Sequence, residues 1–256
     1  MFPIGTTAVS AEVTAGLVFT VDSTGDEADA VGDNVCRTSS GTCTLRAALQ
    51  EANRHAGPDT VTFNIAGTGL HTIAPATRLP SLSDQTGSTT IDGYSQPGSV
   101  RNTDPYASNA GLTIEIVGTG TTGIDGFFIT SPGNVIAGLS IYKFKRSVWY
   151  YGADSHHNLL VGSFVGTNPA GTYGASTATA GSSGVVIQAG AHHNEVGRPG
   201  AENRNVLSGN PHHGVATYDN LTTANVIRNN IIGLNPAGTA QLPNRSHGVD
   251  INTWTT

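Results

Sequence analysis

The second half of the chain repeats itself, and this limits the fold more than any other feature. Gly166-Thr167-Asn168-Pro169-Ala170-Gly171-Thr172 returns as Gly233-Leu234-Asn235-Pro236-Ala237-Gly238-Thr239. Short apolar stretches opened by asparagine recur as Asn134-Val135-Ile136, Asn158-Leu159-Leu160, Asn205-Val206-Leu207 and Asn225-Val226-Ile227. A second kind opens on a small residue: Gly126-Phe127-Phe128-Ile129, Ser147-Val148-Trp149-Tyr150, Gly184-Val185-Val186-Ile187, Gly214-Val215-Ala216-Thr217 and Gly248-Val249-Asp250-Ile251. These starts are 21, 37, 30 and 34 residues apart. A fixed minimum with variable additions is the pattern of a solenoid, one coil per rung with loops inserted at a corner. A β-sandwich, the rival architecture, needs hairpin turns at regular spacing and gives no reason for one turn sequence to return. Asparagine at each strand start suits a ladder of turns, since it tolerates left-handed backbone and its amide can bond a neighbour one rung away.

Composition agrees. The 256 residues include 33 glycines and 12 prolines, and only 12% are charged, with Lys143 and Lys145 the sole lysines. Such a chain favours short strands and many turns over helix. A net charge of -6 is wrong for a nucleic-acid binder, which needs cations to displace counterions. No apolar run reaches the roughly 18 residues of a membrane span. With 37% apolar residues the chain is not disordered by composition. Residues 1–16 stand apart as a leader or flexible N-terminus. Ala8-Val9-Ser10-Ala11 resembles the small-residue end of a cleaved signal peptide, and a plain flexible leader is the other reading. A local disulfide between Cys36 and Cys43 suits an oxidising compartment; two free thiols are the alternative.

One segment is helical in pattern. In Thr44-Leu45-Arg46-Ala47-Ala48-Leu49-Gln50-Glu51-Ala52-Asn53, Leu45, Ala48, Leu49 and Ala52 share a face, Thr44 can cap the start and Gly57-Pro58 stops the run. Strands are expected on either side, at Leu17–Val21 and Thr60–Ile65.

Together with Phe19-Thr20-Val21-Asp22-Ser23-Thr24, the stretch from Cys43 to Asn53 resembles the Cys-Ser-Leu-Arg-Glu-Ala N-terminal domain of secreted bacterial β-helix proteins. Thr44 stands where that family has Ser, and Ala47 where it has Glu. Ile91-Asp92-Gly93-Tyr94-Ser95-Gln96-Pro97-Gly98 is similar to the segment that follows the domain there. The resemblance implies an all-β, right-handed parallel β-helix with a short N-terminal capping helix, secreted or on a bacterial cell surface. Residues 17–110 would form the cap and first coils. Residues 111–256 would be β-helix repeats, truncated or covered by a partner at the C-terminal end, where an open coil invites self-association. The resemblance does not fix an activity, because the architecture serves adhesins, autotransporter passengers and polysaccharide-active enzymes alike.

The second kind of strand has a definite register. Val148, Val185, Val215 and Val249 point inward, as do Tyr150, Ile187, Thr217 and Ile251. One outward column is then Phe128, Trp149, Val186, Ala216 and Asp250, and the next is Thr130, Tyr151, Gln188, Tyr218 and Asn252. A third column, Asp125, Arg146, Ser183, His213 and His247, sits just before the strands. Aromatic rings flanked by polar groups suit an extended polysaccharide. Phe128, Trp149, Tyr151, Gln188, Tyr218 and Asn252 are the candidate binding residues. The loops Asn168–Ser182 and Asn235–Ser246 would wall a cleft.

Asp125, Arg146, His213, His247 and Asp250 are the candidates for catalysis, by a lyase or a glycoside hydrolase. A hydrolase wants two carboxylates, for which Asp219 is a further candidate beside Asp250. A β-helix lyase resembles enzymes with a Ca²⁺-binding acidic cluster and an Arg or Lys base, and no tight acidic cluster is present. Ser183 and His213 give an esterase-like alternative that lacks a nucleophile-elbow sequence. A structural protein without catalysis is the other alternative. His156-His157, His192-His193 and His212-His213 are read as turn residues rather than metal ligands, and no metal site is assigned.

Overall fold

The computed structural model describes residues 14–120, 123–177, 179 and 181–252, so the leader reading of Ala8–Ala11 lies outside the described residues. Strands numbered in chain order form three wholly parallel sheets. The first holds β1 (Val18–Val21), β2 (Asp59–Phe63), β4 (Thr89–Asp92), β7 (Val135–Ala137), β10 (Leu159–Val161), β13 (Glu195–Val196) and β16 (Val226–Ile227). The second holds β3 (His71–Ile73), β5 (Ile114–Val117), β8 (Ser140–Tyr142), β11 (Phe164–Val165), β14 (Asn205–Leu207) and β17 (Asn230–Ile232). The third holds β6 (Phe127–Ile129), β9 (Val148–Tyr151), β12 (Val185–Gln188), β15 (Val215–Thr217) and β18 (Val249–Ile251). From β7 onward the chain visits the first, second and third sheets in turn, four times over.

Each sheet lends inward columns to one shared core. The first contributes Phe19, Val61, Ile91, Ile136, Leu160 and Val196, aligned rung on rung. The second contributes Ile73, Ile116, Ile141, Val165 and Leu207. The third contributes Phe127, Val148, Val185 and Val215, with Ile129, Tyr150 and Ile187 two residues on. All of these are buried. Stacking like side chains repeats one packing solution along the axis, and each buried aliphatic residue contributes about 1.5–3 kcal/mol. At β18, Val249 and Ile251 keep the inward register of Val215 and Thr217 but are 38% and 75% exposed, because no described coil covers their far side.

The asparagines bind the coils at their corners. Asn134, Asn158, Asn194 and Asn225 stack before the first sheet; each Oδ1 from Asn158 onward accepts the backbone N–H and side-chain amide of the asparagine one coil earlier, at 2.7–3.0 Å. The sequence grouping needs one correction here. Asn205 begins a strand of the second sheet, and its Nδ2 donates to Asn230 Oδ1; Asn194 occupies the place assigned to Asn205. A further column, Asn210 on Asn244, precedes the third sheet.

At the N-terminal end, α1 (Leu45–Ala52) packs on β1 and β2, burying Leu45, Ala48, Leu49 and Ala52, with the Thr44 hydroxyl accepting from Ala47 N–H. Cys36 and Cys43 form a disulfide beside it. Arg46 links the segments: its guanidinium pairs with both oxygens of Asp26 and donates to the carbonyls of Thr77 and Arg78. The Asp92–Gln96 motif is also a clamp. Ser95 Oγ accepts Phe63 N–H at 2.7 Å, and Gln96 both accepts from and donates to the backbone of Ile65. Gly93 must be glycine, since a Cβ there would stand 2.3 Å from Gly138 O. Among the described residues no helix is long and apolar enough to cross a membrane.

Candidate ligand-binding face

The outer surface of the third sheet follows the register read from sequence. Phe128 pairs with Trp149, Trp149 with Val186, Val186 with Ala216 and Ala216 with Asp250. Tyr151 pairs with Gln188. Alternation in a strand sends these side chains away from the core, but they are not uniformly open. Val186 and Ala216 are 2% and 0% exposed, which splits the surface into an aromatic end and a histidine end.

At the aromatic end, Phe128, Trp149 and Tyr151 are mutual neighbours, with ring centroids 4.4, 5.0 and 5.8 Å apart. The cluster is held by polar groups. Trp149 Nε1–H donates to Gln188 Oε1 at 3.1 Å. The Arg146 guanidinium lies 3.3 Å from the Trp149 ring centre and is fixed by two hydrogen bonds to Asp125, 2.6 and 2.8 Å long. Arg78 sits 4.8 Å from the Phe128 ring centre. The indole is thus covered on one side by its own cation, and Tyr151, 39% exposed, is the ring left open to a ligand.

At the histidine end, His213 turns Nε2 toward Asp250 at 3.6 Å and Nδ1 toward His247 Nδ1 at 3.2 Å, the two imidazoles stacking at 5.1 Å. Burial holds the His213 imidazolium below its usual range, assisted by His212 and opposed by Asp250. Tyr218 is raised, first by burial and then by the Asp250 carboxylate, partly offset by the Ser183 hydroxyl. Asn252 follows β18, its N–H donating to Thr217 O.

This geometry bears on each chemistry in turn. Asp125 and Asp250 are separated by four rungs, roughly 19 Å at rung spacing, against the roughly 5–9.5 Å of a glycosidase pair. Asp219 is taken up in a turn, accepting Ala189 N–H at 2.8 Å. Both His213 nitrogens face groups other than Ser183, so no serine–histidine hydrogen bond forms. The acids do not fit Ca²⁺, which takes 6–8 oxygens: both Asp125 oxygens accept from Arg146, and Asp250 lies against His213. Among the described residues no group of three or more His, Cys, Asp or Glu side chains is so placed that it could hold a metal ion.

The two seven-residue repeats fold alike. Asn168 Oδ1 accepts from Thr172 and Tyr173 N–H, and Asn235 Oδ1 from Thr239 and Ala240 N–H. They follow β11 and β17 and touch, Gly171 leaving no room for a Cβ beside Pro236. A cleft of about 480 Å³ opens between residues 117–120, Lys143, Tyr173 and residues 175–177. Lys143 Nζ stands 5.6 and 5.1 Å from the ring centres of Tyr142 and Tyr173. Sequence reasoning missed this cleft, because Lys143 and Tyr173 belong to different coils and neither repeats.

These features define a coil of three parallel sheets with an aromatic and polar outer face. No family model, curated protein or solved structure matches the chain.

Proposed function

We propose that the chain is a right-handed parallel β-helix, exported to an oxidising compartment in a bacterium, that binds an extended polysaccharide along its third sheet. Parallel strands joined by crossovers are right-handed in nearly all proteins, which supports the hand. The Cys36–Cys43 disulfide supports export. The observation that carries the binding reading is the aromatic cluster of Phe128, Trp149 and Tyr151, held in place by Gln188, Arg146 and Arg78. A sugar presents an apolar ring face to Tyr151 and hydroxyls to Arg146, Gln188 and Tyr218. Because Asp125 already fixes Arg146, little side-chain freedom is lost when ligand arrives. Binding without cleavage is favoured over hydrolysis by the wide separation of Asp125 and Asp250 and by the engagement of Asp219 with the backbone N–H of Ala189.

Affinity electrophoresis through gels cast with neutral, acidic and amino polysaccharides tests this. Retardation by at least one, reduced about tenfold in affinity by Tyr151→Ala, is the expected result. Reducing-end release and absorbance of unsaturated products, run on the same mixtures, should stay at background. Turnover would overturn the binder reading, and no retardation by any polysaccharide would remove the function.

A further inference from the structure

The corner leading into the first sheet is built four times over by one turn, with four different sequences. They are Pro132-Gly133-Asn134, His156-His157-Asn158, His192-His193-Asn194 and Thr223-Ala224-Asn225. The middle residue is left-handed every time, with φ of 74° at Gly133, 56° at His157, 53° at His193 and 55° at Ala224. The asparagine ladder runs through all four. Pro-Gly and Thr-Ala make this turn as well as His-His does, so the turn has no need of imidazoles.

The four rings are nevertheless ordered. His156 Nδ1 lies 2.8 Å from His157 Nδ1, and His192 Nδ1 lies 2.8 Å from His193 Nδ1. Between coils His156 stacks on His192 at 5.0 Å, and His157 on His193 at 5.2 Å. His157 and His193 are exposed, and their partners are half-buried.

We propose that His156–His157 and His192–His193 are two-nitrogen chelates for a divalent late transition-metal ion, with Cu²⁺ and Ni²⁺ the best fit. Imidazole nitrogens bind such ions at about 2.0 Å, and two ligands at right angles then stand about 2.8 Å apart. That matches the spacing within each pair. Ligation takes both rings as the Nε2–H tautomer. The proton between the two Nδ1 atoms moves to Nε2 of the donor ring, and a neutral pair releases none. Water completes the coordination, so the ion is labile. Two doubly charged ions about 5 Å apart repel even in water, which weakens the second site by about a hundredfold. One ion should therefore bind well before the second.

The test is a Cu²⁺ titration of the full, untagged chain at pH 7.5, followed by calorimetry and by electron paramagnetic resonance. The variants borrow the turn the protein already makes: His156→Thr with His157→Ala, His192→Thr with His193→Ala, and all four together. Wild type should take up one ion ahead of a second, with hyperfine structure from two nitrogens. Each double variant should keep one site, and the fourfold variant should bind at least about fiftyfold more weakly at an unchanged melting temperature. His157→Ala and His193→Ala as single changes repeat the test if a multiple variant folds poorly, and each should remove one nitrogen from its own site. Copper affinity unchanged in the fourfold variant, or wild-type spectra without coupling to two nitrogens, would overturn the proposal.

Discussion

Replacing Asn158 with alanine strikes the ladder at its centre. The side chain is 1% exposed. Its Oδ1 accepts from Asn134 N and Nδ2, and its Nδ2 donates to Asn194 Oδ1 and Ser155 Oγ. Most of these partners keep another bond: Asn134 Nδ2 still reaches Ser131, and Asn194 Oδ1 still accepts from Asn158 N–H. The backbone N–H of Asn134, itself buried, loses its acceptor. Leaving such a group unpaired costs about 1–3 kcal/mol, and losing the amide's other bonds adds about 1 kcal/mol. The expected total is about 2–4 kcal/mol. In a chain of this size each kcal/mol lowers the melting temperature by roughly 2–4 °C, so a drop of about 5–15 °C should appear in thermal unfolding followed by circular dichroism. Asn225→Ala, at the half-exposed end of the same ladder, should cost about 1 kcal/mol, since water can reach the group left behind. A fall of less than about 2 °C for Asn158→Ala, or equal losses at both sites, would refute the ladder as a source of stability.

Tyr150 points into the core with its hydroxyl buried and, among the described residues, without a hydrogen-bond partner, so Tyr150→Phe should raise stability by about 1 kcal/mol; a loss in urea unfolding would show a partner for that oxygen. Burial holds both His212 and His213 below 6.5 in the folded protein. The unfolded chain therefore takes up protons first as pH falls through 6.5, so stability is complete above that value and declines below it. Urea midpoints between pH 8 and pH 5 should show this decline, and His213→Asn should flatten it; an unchanged slope would remove His213 as its source. If the open side of the last described coil is an association surface, sedimentation should depend on concentration and Ile251→Lys should abolish the dependence, whereas a concentration-independent monomer before the change would exclude it.

How much of this could be read beforehand depended on how far each signal repeats. The third sheet was legible residue by residue, because Val148, Val185, Val215 and Val249 are alike and each is preceded by a small residue or serine. The second sheet was not. Ile136-Ala137-Gly138-Leu139-Ser140-Ile141 reads as one apolar run, yet Gly138, at φ 71°, turns a corner within it and divides β7 from β8. The sequence offers two strand kinds where the fold has three sheets, which is also why its pattern groups Asn205 with the wrong column. The outward residues were identified, but not their cover: sequence cannot show that Arg146 lies on Trp149, because the loop geometry that brings it there depends on the Asp125 pair one coil earlier. The structural roles of Arg46 and Gln96 were likewise hidden, since their partners are 20–32 residues away in sequence.

Trp149 offers the most direct measurement of the binding face. Replacing the chain's other tryptophan, Trp254→Phe, leaves Trp149 as the only indole, and its emission can be followed while polysaccharide is added. A sugar stacked on Tyr151 lies within one ring of the indole and should shift that emission saturably. Tyr151→Ala in the same background should weaken the saturation midpoint about tenfold, consistent with the roughly 1–2 kcal/mol of a partly exposed aromatic anchor, at an unchanged melting temperature. Emission that stays constant across neutral, acidic and amino polysaccharides, or a titration that Tyr151→Ala leaves untouched, would contradict a glycan-binding role for the third sheet.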